Sequence, residues 1–568
     1  MLFAEHKGPT VEVARTSEEL RARSVLLAIA LFSAGVFLLF GVRVLTSFTS
    51  TYVGGNGPDP KLFIWSMEWW SRALFHASNP LHAGAIWAPA GYDLSWATTV
   101  PGPAVAVAPI TWILGPIASY NVLILLAPVL SATSAFFLCF AVTNRFWPSI
   151  AGGYSFGFSS YMLAHIRGGH LNMLLVFAVP LVAALVILRM KDRIGTSRFV
   201  ALLTALLIVQ FLVSTEVFAT LTVIGGLALF LACVYADLDG RRRILRLLPS
   251  IGIAYLCSTV LLLPLLLAAF IGPLPSQHID AAGGSTDLLN LIIPTSVTWV
   301  GGRAMSGIAG SFSGSVSGQG AYLGLPILII VSLFAWERRR SFAGRFLPAL
   351  FVAIFLLSLG PVLMIGGTST HVPMPGIAFR FLPLLGRAIL GRLLVYALAA
   401  LAVMIAMWLS EPRRRYWRVA VVVIGTALLL PAPRDWMWET TPYVPRFFLT
   451  GQYEALLAPQ QNVLVLTRTS ALPLVWQAET HLYFFMPTGY TGGFPPSTGH
   501  TLSSQFLYRQ QCPPGGLSPA VQGFFIQRGV TTLIVPESGR EAAGCLTLAT
   551  QTAGVTTVGG VRVYRLAG

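Results

Sequence analysis

Few residues in this chain combine reactive chemistry with a setting that could use it, and the first is Asp59. It stands in Gly54-Gly55-Asn56-Gly57-Pro58-Asp59-Pro60, a glycine-rich approach to a helical stretch over residues 61–77. Two readings of this carboxylate are open. Aspartate ahead of proline at a helix start is a standard cap, accepting backbone N–H bonds. Bonds of that kind also keep a carboxylate ionised, so a cap can still act as a general base. Glu68 follows two and a half turns later, about 13 Å along the same helix, too far to share one proton or one metal with Asp59. Its spacing to Arg72 predicts an i,i+4 ion pair, and Glu68 is also a candidate substrate contact.

A second group is cationic. His165, Arg167 and His170 cluster in one short turn. Two imidazoles five residues apart could bind a metal, but no carboxylate stands nearby. A cationic site for a phosphate fits better, with anchoring at a membrane interface as the plain alternative. Glu216, in the break Ser214-Thr215-Glu216, is an ionisable residue at the end of an apolar run and so a functional candidate; a solvated turn carboxylate is its alternative. Arg303, Arg380, Arg387 and Arg392 fall in connections otherwise poor in basic residues. An anionic head group would explain them, and so would ordinary lipid contact. Cys512 and Cys545 are the two cysteines of the C-terminal region, a candidate disulfide or two unpaired thiols. Cys139, Cys233 and Cys257 lie in apolar runs and read as core.

The elements that must position these groups are membrane spans. Across 568 residues the chain is 55% hydrophobic and 10% charged, with a mean hydropathy of +0.72. Its net charge of +16 sits in short loops between apolar runs, which argues for topology and against nucleic-acid binding. Four basic clusters carry it: Lys191, Arg193 and Arg198; Arg241, Arg242, Arg243 and Arg246; Arg338, Arg339, Arg340 and Arg345; Arg413, Arg414, Arg415 and Arg418. Cytoplasmic loops hold the excess Lys and Arg, so the alternate connections, which carry the chemistry, are expected outside.

Apolar runs of roughly 20 residues mark membrane-crossing helices, and about eleven spans keep every basic cluster on one side. They cover residues 24–45, 120–142, 149–164, 171–188, two halves of 199–235 split at 214–216, 251–271, 321–336, 346–365, one returning to the fourth cluster, and 419–430. The first follows Arg21 and Arg23 and reads as an uncleaved signal anchor. Residues 101–117, broken by Pro101, Pro103, Pro109 and Pro116, read as a half-helix in the outer interface. Trp65, Trp69 and Trp70, with Trp87 and Trp96, suit a helix at the lipid headgroup level.

The expected class is therefore an α-helical polytopic membrane protein with a small external α/β domain. Residues 1–432 form the multi-span domain, with a long first external loop at 47–119, and residues 433–568 the external domain. In the latter, strands are expected at 462–467 and 531–535, a helix from Ser518-Pro519 to Gly529, and a hairpin turning at Gly559-Gly560. The N-terminus lies in the cytoplasm. No Walker loop, dinucleotide fingerprint, zinc spacing or Gly-x-Ser-x-Gly elbow is present, and the cytoplasmic loops are too short for a nucleotide-binding domain.

The pattern resembles the GT-C superfamily of integral-membrane glycosyltransferases, in an uncharacterised bacterial branch. The resemblance covers the architecture of most of the chain. It rests on the Gly-Pro-Asp-Pro approach and aromatic helix, Asn79-Pro80-Leu81-His82, the proline-broken half-helix running into Gly115-Pro116, Tyr120-Asn121, Gly169-His170-Leu171-Asn172, and Ala321-Tyr322-Leu323-Gly324-Leu325-Pro326. It implies sugar transfer from a polyprenyl-phosphate donor to a glycan, lipid or protein acceptor, inverting, for the cell envelope and outside the bacterial cytoplasmic membrane. It makes Asp59 the candidate base and the external arginines candidate phosphate partners. Many members carry adjacent acids in the first loop and an acid in the second external turn. Here Asp59 has no acidic neighbour, and that turn holds His165, Arg167 and His170. These departures leave a divalent metal and the donor sugar open; no other cofactor is implied. A transporter or flippase of lipid-linked glycans is the alternative reading, and a non-catalytic assembly protein a third.

Overall fold

A computed structural model describes residues 11–75, 79–272, 284–314, 318–382, 385–412, 415–467, 471–492, 523, 525–537 and 552–566. The chain divides into two compact units, Met1–Arg43 with Ile124–Leu262 and Ile279–Trp438, and Val44–Leu123 with Leu263–His278 and Glu439–Gly568.

The first unit is helical. Among the described residues, seven helices of the chain are long and apolar enough to cross a membrane: Ala22–Ser47, Pro116–Thr143, Leu171–Met190, Thr196–Val213, Thr215–Tyr235, Leu238–Leu261 and Leu390–Leu409. Gly324–Glu337, Phe342–Ser358 and Tyr416–Ala427 are shorter apolar helices. The chain is a multi-pass membrane protein. The polar break at 214 behaves as its residues dictate: Ser214 is extended, and its hydroxyl accepts the Val217 N–H at 3.3 Å to cap the next helix. The Leu394–Leu409 helix is buried almost throughout and packs against Phe146–Gly157. Gly152 permits that approach, since a Cβ there would lie 2.7 Å from the Ala402 carbonyl oxygen and 2.6 Å from Cys139 Sγ.

The basic connections meet in this unit. Arg338 pairs with Glu411 at 2.8 Å and Arg418 with Glu337 at 2.9 Å. Arg345 donates to the Tyr235 carbonyl at 3.3 Å, and Lys191 to that of Ala141 at 2.8 Å.

Three expected spans differ in form. Residues 149–164 do not make one helix: Phe146–Gly157 stops, Ser159 caps a new start, and Ser160–Gly168 follows. The run at 251–271 belongs to a helix that starts earlier, at Leu238 capped by Asp237, and a separate helix, Leu263–Ile271. The run at 346–365 ends as helix at Ser358, and Val362–Ile365 pairs with Thr368–Pro373 in a hairpin. Buried Asp287 accepts the N–H groups of Leu289, Gly366 and Gly367, which holds that hairpin's turn.

The second unit gathers the first long loop and the C-terminal region. Tyr52–Val53 pairs antiparallel with Glu439–Thr440. Val463–Val465 lies parallel to Thr532–Pro536; Val561–Leu566 pairs antiparallel with that strand and with Thr552–Val558. Gly559 and Gly560 turn the hairpin at φ 54° and 85°, as a two-residue turn with two positive φ values requires. Residues 101–117 form two short helices, Pro101–Ala106 and Ala108–Leu114. The aromatic helix, Pro58–Ala73, turns its tryptophans into protein. Trp65 is 0% and Trp70 4% exposed, packed in protein against Leu472–Glu479. The Trp65 indole donates to Gln477 Oε1 at 2.7 Å, and the Gln477 amide donates to the Ala85 and Phe484 carbonyls, each at 2.8 Å.

Candidate active site

The Pro58–Ala73 helix begins three residues before the stretch expected from the sequence. Gly57 is the N-cap and makes no side-chain cap bond, Pro58 takes the first helical position, and Asp59 lies within the first turn. Asp59 is therefore not the cap. Its half-buried carboxylate accepts the Tyr490 hydroxyl at 2.6 Å, and the helix dipole favours a negative charge in that turn. The approach to it is held at two points. Asn121, fully buried, accepts the Val53 N–H at 2.9 Å and donates to the carbonyls of Phe48 and Thr51 at 2.9 and 2.8 Å. Lys61 donates to Asn56 Oδ1 at 2.7 Å and to the Gly57 carbonyl at 2.8 Å. Burial brings the Lys61 ammonium down to about 8. Buried Tyr52 and Tyr120 meet edge to face at 5.9 Å, with Tyr120 within electrostatic reach of Asp59.

Glu68 forms the expected pair with Arg72 and also accepts His481 Nδ1 at 3.0 Å. The bond to Glu68 is the main cause raising the His481 pKa. Nearby Glu479 is pushed up to about 7, chiefly by desolvation, with the Glu68 charge adding and His481 opposing. Glu68 thus ties the aromatic helix to the end of the Leu472–Glu479 helix.

The helical unit brings together another part of the predicted set. Arg392 donates to Glu216 Oε2 at 2.5 Å. His165 and His170 share a hydrogen bond between their Nδ1 atoms at 2.9 Å, and the Tyr161 ring meets His165 edge-on at 4.3 Å. Burial, then the charges of His170 and Arg392, holds the His165 pKa well below the ordinary imidazole value, so the ring is neutral. Tyr161 is within electrostatic reach of both Arg392 and Glu216. His165 Nε2 and the Tyr161 hydroxyl are buried without a hydrogen-bond partner among the described residues. Leaving such a group unsatisfied costs about 1–3 kcal/mol, so a polar ligand atom or water would be welcome there. Arg167 lies over the Trp436 ring, 5.6 Å from its centroid.

The remaining candidates do not join this group in what the structure describes. Arg380 is exposed at the end of a short helix, Pro375–Phe381. Arg303 and Arg387 have described backbones only. Cys512 and Cys545 lie outside the described residues. Among the described residues no group of three or more His, Cys, Asp or Glu could hold a metal ion. Tyr490, His481, Glu479, Lys61 and Tyr161 carry no local sequence signal that would have singled them out.

No protein-family model and no curated protein matches the chain. Solved structures do. The arabinofuranosyltransferase AftD from Mycobacteria matches at a TM-score of 0.59 and 16% identity, over 96% of this chain and 40% of AftD. An Archaeoglobus fulgidus oligosaccharyltransferase, tethered to an acceptor peptide, gives 0.52 and 13%, over 96% and 74%. ArnT from Cupriavidus metallidurans, bound to undecaprenyl phosphate, gives 0.51 and 12%, over 94% and 97%. The chain thus spans less than half the length of AftD, and close to the whole of ArnT. Its fold is that of the GT-C integral-membrane glycosyltransferases.

Proposed function

We propose that this protein transfers a sugar from a polyprenyl-phosphate carrier to a hydroxyl acceptor at the external face of the bacterial cytoplasmic membrane, with Asp59 as general base. The observation that carries the reading is the state of Asp59: half-exposed, in the first turn of its helix, hydrogen-bonded by a neutral phenol and released from capping. Asp59 takes the proton of the acceptor hydroxyl as its oxygen attacks the anomeric carbon. The bond from that carbon to the carrier phosphate breaks, and the phosphate leaves with the electron pair. Attack opposite the leaving group inverts configuration. A base of this kind contributes about 10²–10⁴-fold. Polyprenyl phosphate as carrier is in keeping with the undecaprenyl phosphate bound to ArnT. Candidate partners for its phosphate are Arg392, His165, His170 and Arg167, with Arg303, Arg380 and Arg387. The basic connections face the cytoplasm in this reading.

The test compares membranes carrying wild type or Asp59→Asn, matched for expression, by profiling lipid-linked sugars and their transfer to endogenous acceptor. A lipid-linked sugar that accumulates only in the variant supports the transferase. Identical profiles from well-expressed proteins overturn it and favour movement of lipid-linked glycans instead.

A further inference from the structure

We infer that Tyr490 is a positioning residue of the transfer reaction, its phenol holding and orienting the Asp59 carboxylate; this rests on Asp59 being the base. Tyr490 lies 431 residues along the chain from Asp59, yet its hydroxyl donates to Asp59 Oδ1 at 2.6 Å. That length falls in the range of O–H···O⁻ bonds, which are about twice as strong as neutral ones. An ionised carboxylate offers about four lone-pair sites, so accepting one phenol does not exhaust it.

The segment bearing Tyr490 is fixed on both sides. Before it, the Met486 N–H donates to the Ala85 carbonyl at 3.0 Å, and the Ala88 N–H to that of Met486 at 2.9 Å. Gly489 lies so close to residues 86 and 87 that a Cβ would stand 3.1 Å from Ile86 Cβ. After it, Thr491 is buried, 4% exposed. A side chain needed only to fill space requires no hydroxyl aimed at an acid. The C-terminal region therefore supplies part of the reaction centre.

The experiment measures transfer by the full-length protein in membranes as a function of pH for wild type, Tyr490→Phe and Asp59→Asn. Thermal melting checks that each is folded. Losing a donor to the charged form makes that form less favourable. We expect Tyr490→Phe to lower kcat about tenfold, leave the donor KM within a factor of about two, and move the acidic limb of the profile to higher pH. Replacing Tyr490 by 3,5-difluorotyrosine, a stronger donor of nearly the same shape, is expected to move that limb to lower pH. This second variant decides the matter if the phenylalanine protein does not fold. An inactive Asp59→Asn, with unshifted limbs in both tyrosine variants, overturns the positioning role alone. Wild-type turnover by Asp59→Asn overturns the base assignment itself.

Discussion

Asp59 in one unit and Glu216 in the other each occupy the first turn of a helix, and their partners differ. Glu216 faces the guanidinium of Arg392, with the two side chains 27% and 21% exposed. Asp59 faces a phenol. The Arg392 guanidinium sets an opposite charge directly against the Glu216 carboxylate. A neutral donor such as the Tyr490 hydroxyl fixes a carboxylate without adding a charge of its own. The same residue class in the same helical position thus meets a guanidinium in one unit and a phenol in the other, a difference that suits the proposed division between charge recognition and proton transfer.

The contrast can be broken most directly by neutralising each acid in turn. Asp59→Asn is expected to cost about 10²–10⁴-fold in turnover with melting temperature unchanged. Glu216→Gln is expected to leave measurable turnover but to lower stability by about 1–3 kcal/mol, because it deprives Arg392 of its charged partner. Equal loss of turnover in the two variants, with both fully folded, would remove the distinction.

A smaller effect sharpens the account of the helical unit. His165→Phe removes a buried ring nitrogen that has no partner among the described residues. If the ligand is met there, the donor KM rises about tenfold. A more stable variant with unchanged KM would mark His165 as an unsatisfied core residue.

The smallest effect is on pH, in the unit that holds Asp59. The Glu479 pKa is raised from 4.5 to about 7, so its burial penalty is absent below 4.5 and grows as pH rises to about 7. That of His481 is raised above 6.5, so its contribution is full below 6.5 and is lost as pH climbs through the folded value. Both make the junction of the Pro58–Ala73 and Leu472–Glu479 helices tighter on acidification. Amide exchange in the Leu472–Glu479 helix should be slower at pH 6 than at pH 8 after correction for intrinsic rates. Glu479→Gln should flatten that difference.

Much of the scaffold was legible because its signals are local. The triplet Ser214-Thr215-Glu216 splits a run too long for one span, and Gly559-Gly560 marks a hairpin by its backbone needs. The proline-broken stretch after Pro101, read as one half-helix, is instead two short helices. The site was legible only in its candidates. Asp59 was singled out as a candidate, but its capping reading failed because Pro58, not Pro60, opens the helix. The packing of the tryptophans was not legible, because an indole suits a headgroup layer and a protein core equally, and the partner that buries Trp65, Gln477, is distant in the chain. Tyr490 and His481 were invisible, since each acquires its role from a partner more than 400 residues away.

The shared Nδ1 hydrogen bond of His165 and His170 has one more consequence. Only one proton fits between the two Nδ1 atoms, and His165, a neutral ring, carries a single ring hydrogen. With the proton on His165 Nδ1, the buried Nε2 of that ring presents a lone pair. With it on His170, the same Nε2 carries a hydrogen. Exchanging the two arrangements takes more than the shared proton: as it crosses to His170, His165 Nε2 must take up a proton, and that exchange inverts the polarity that His165 offers to whatever lies beside it.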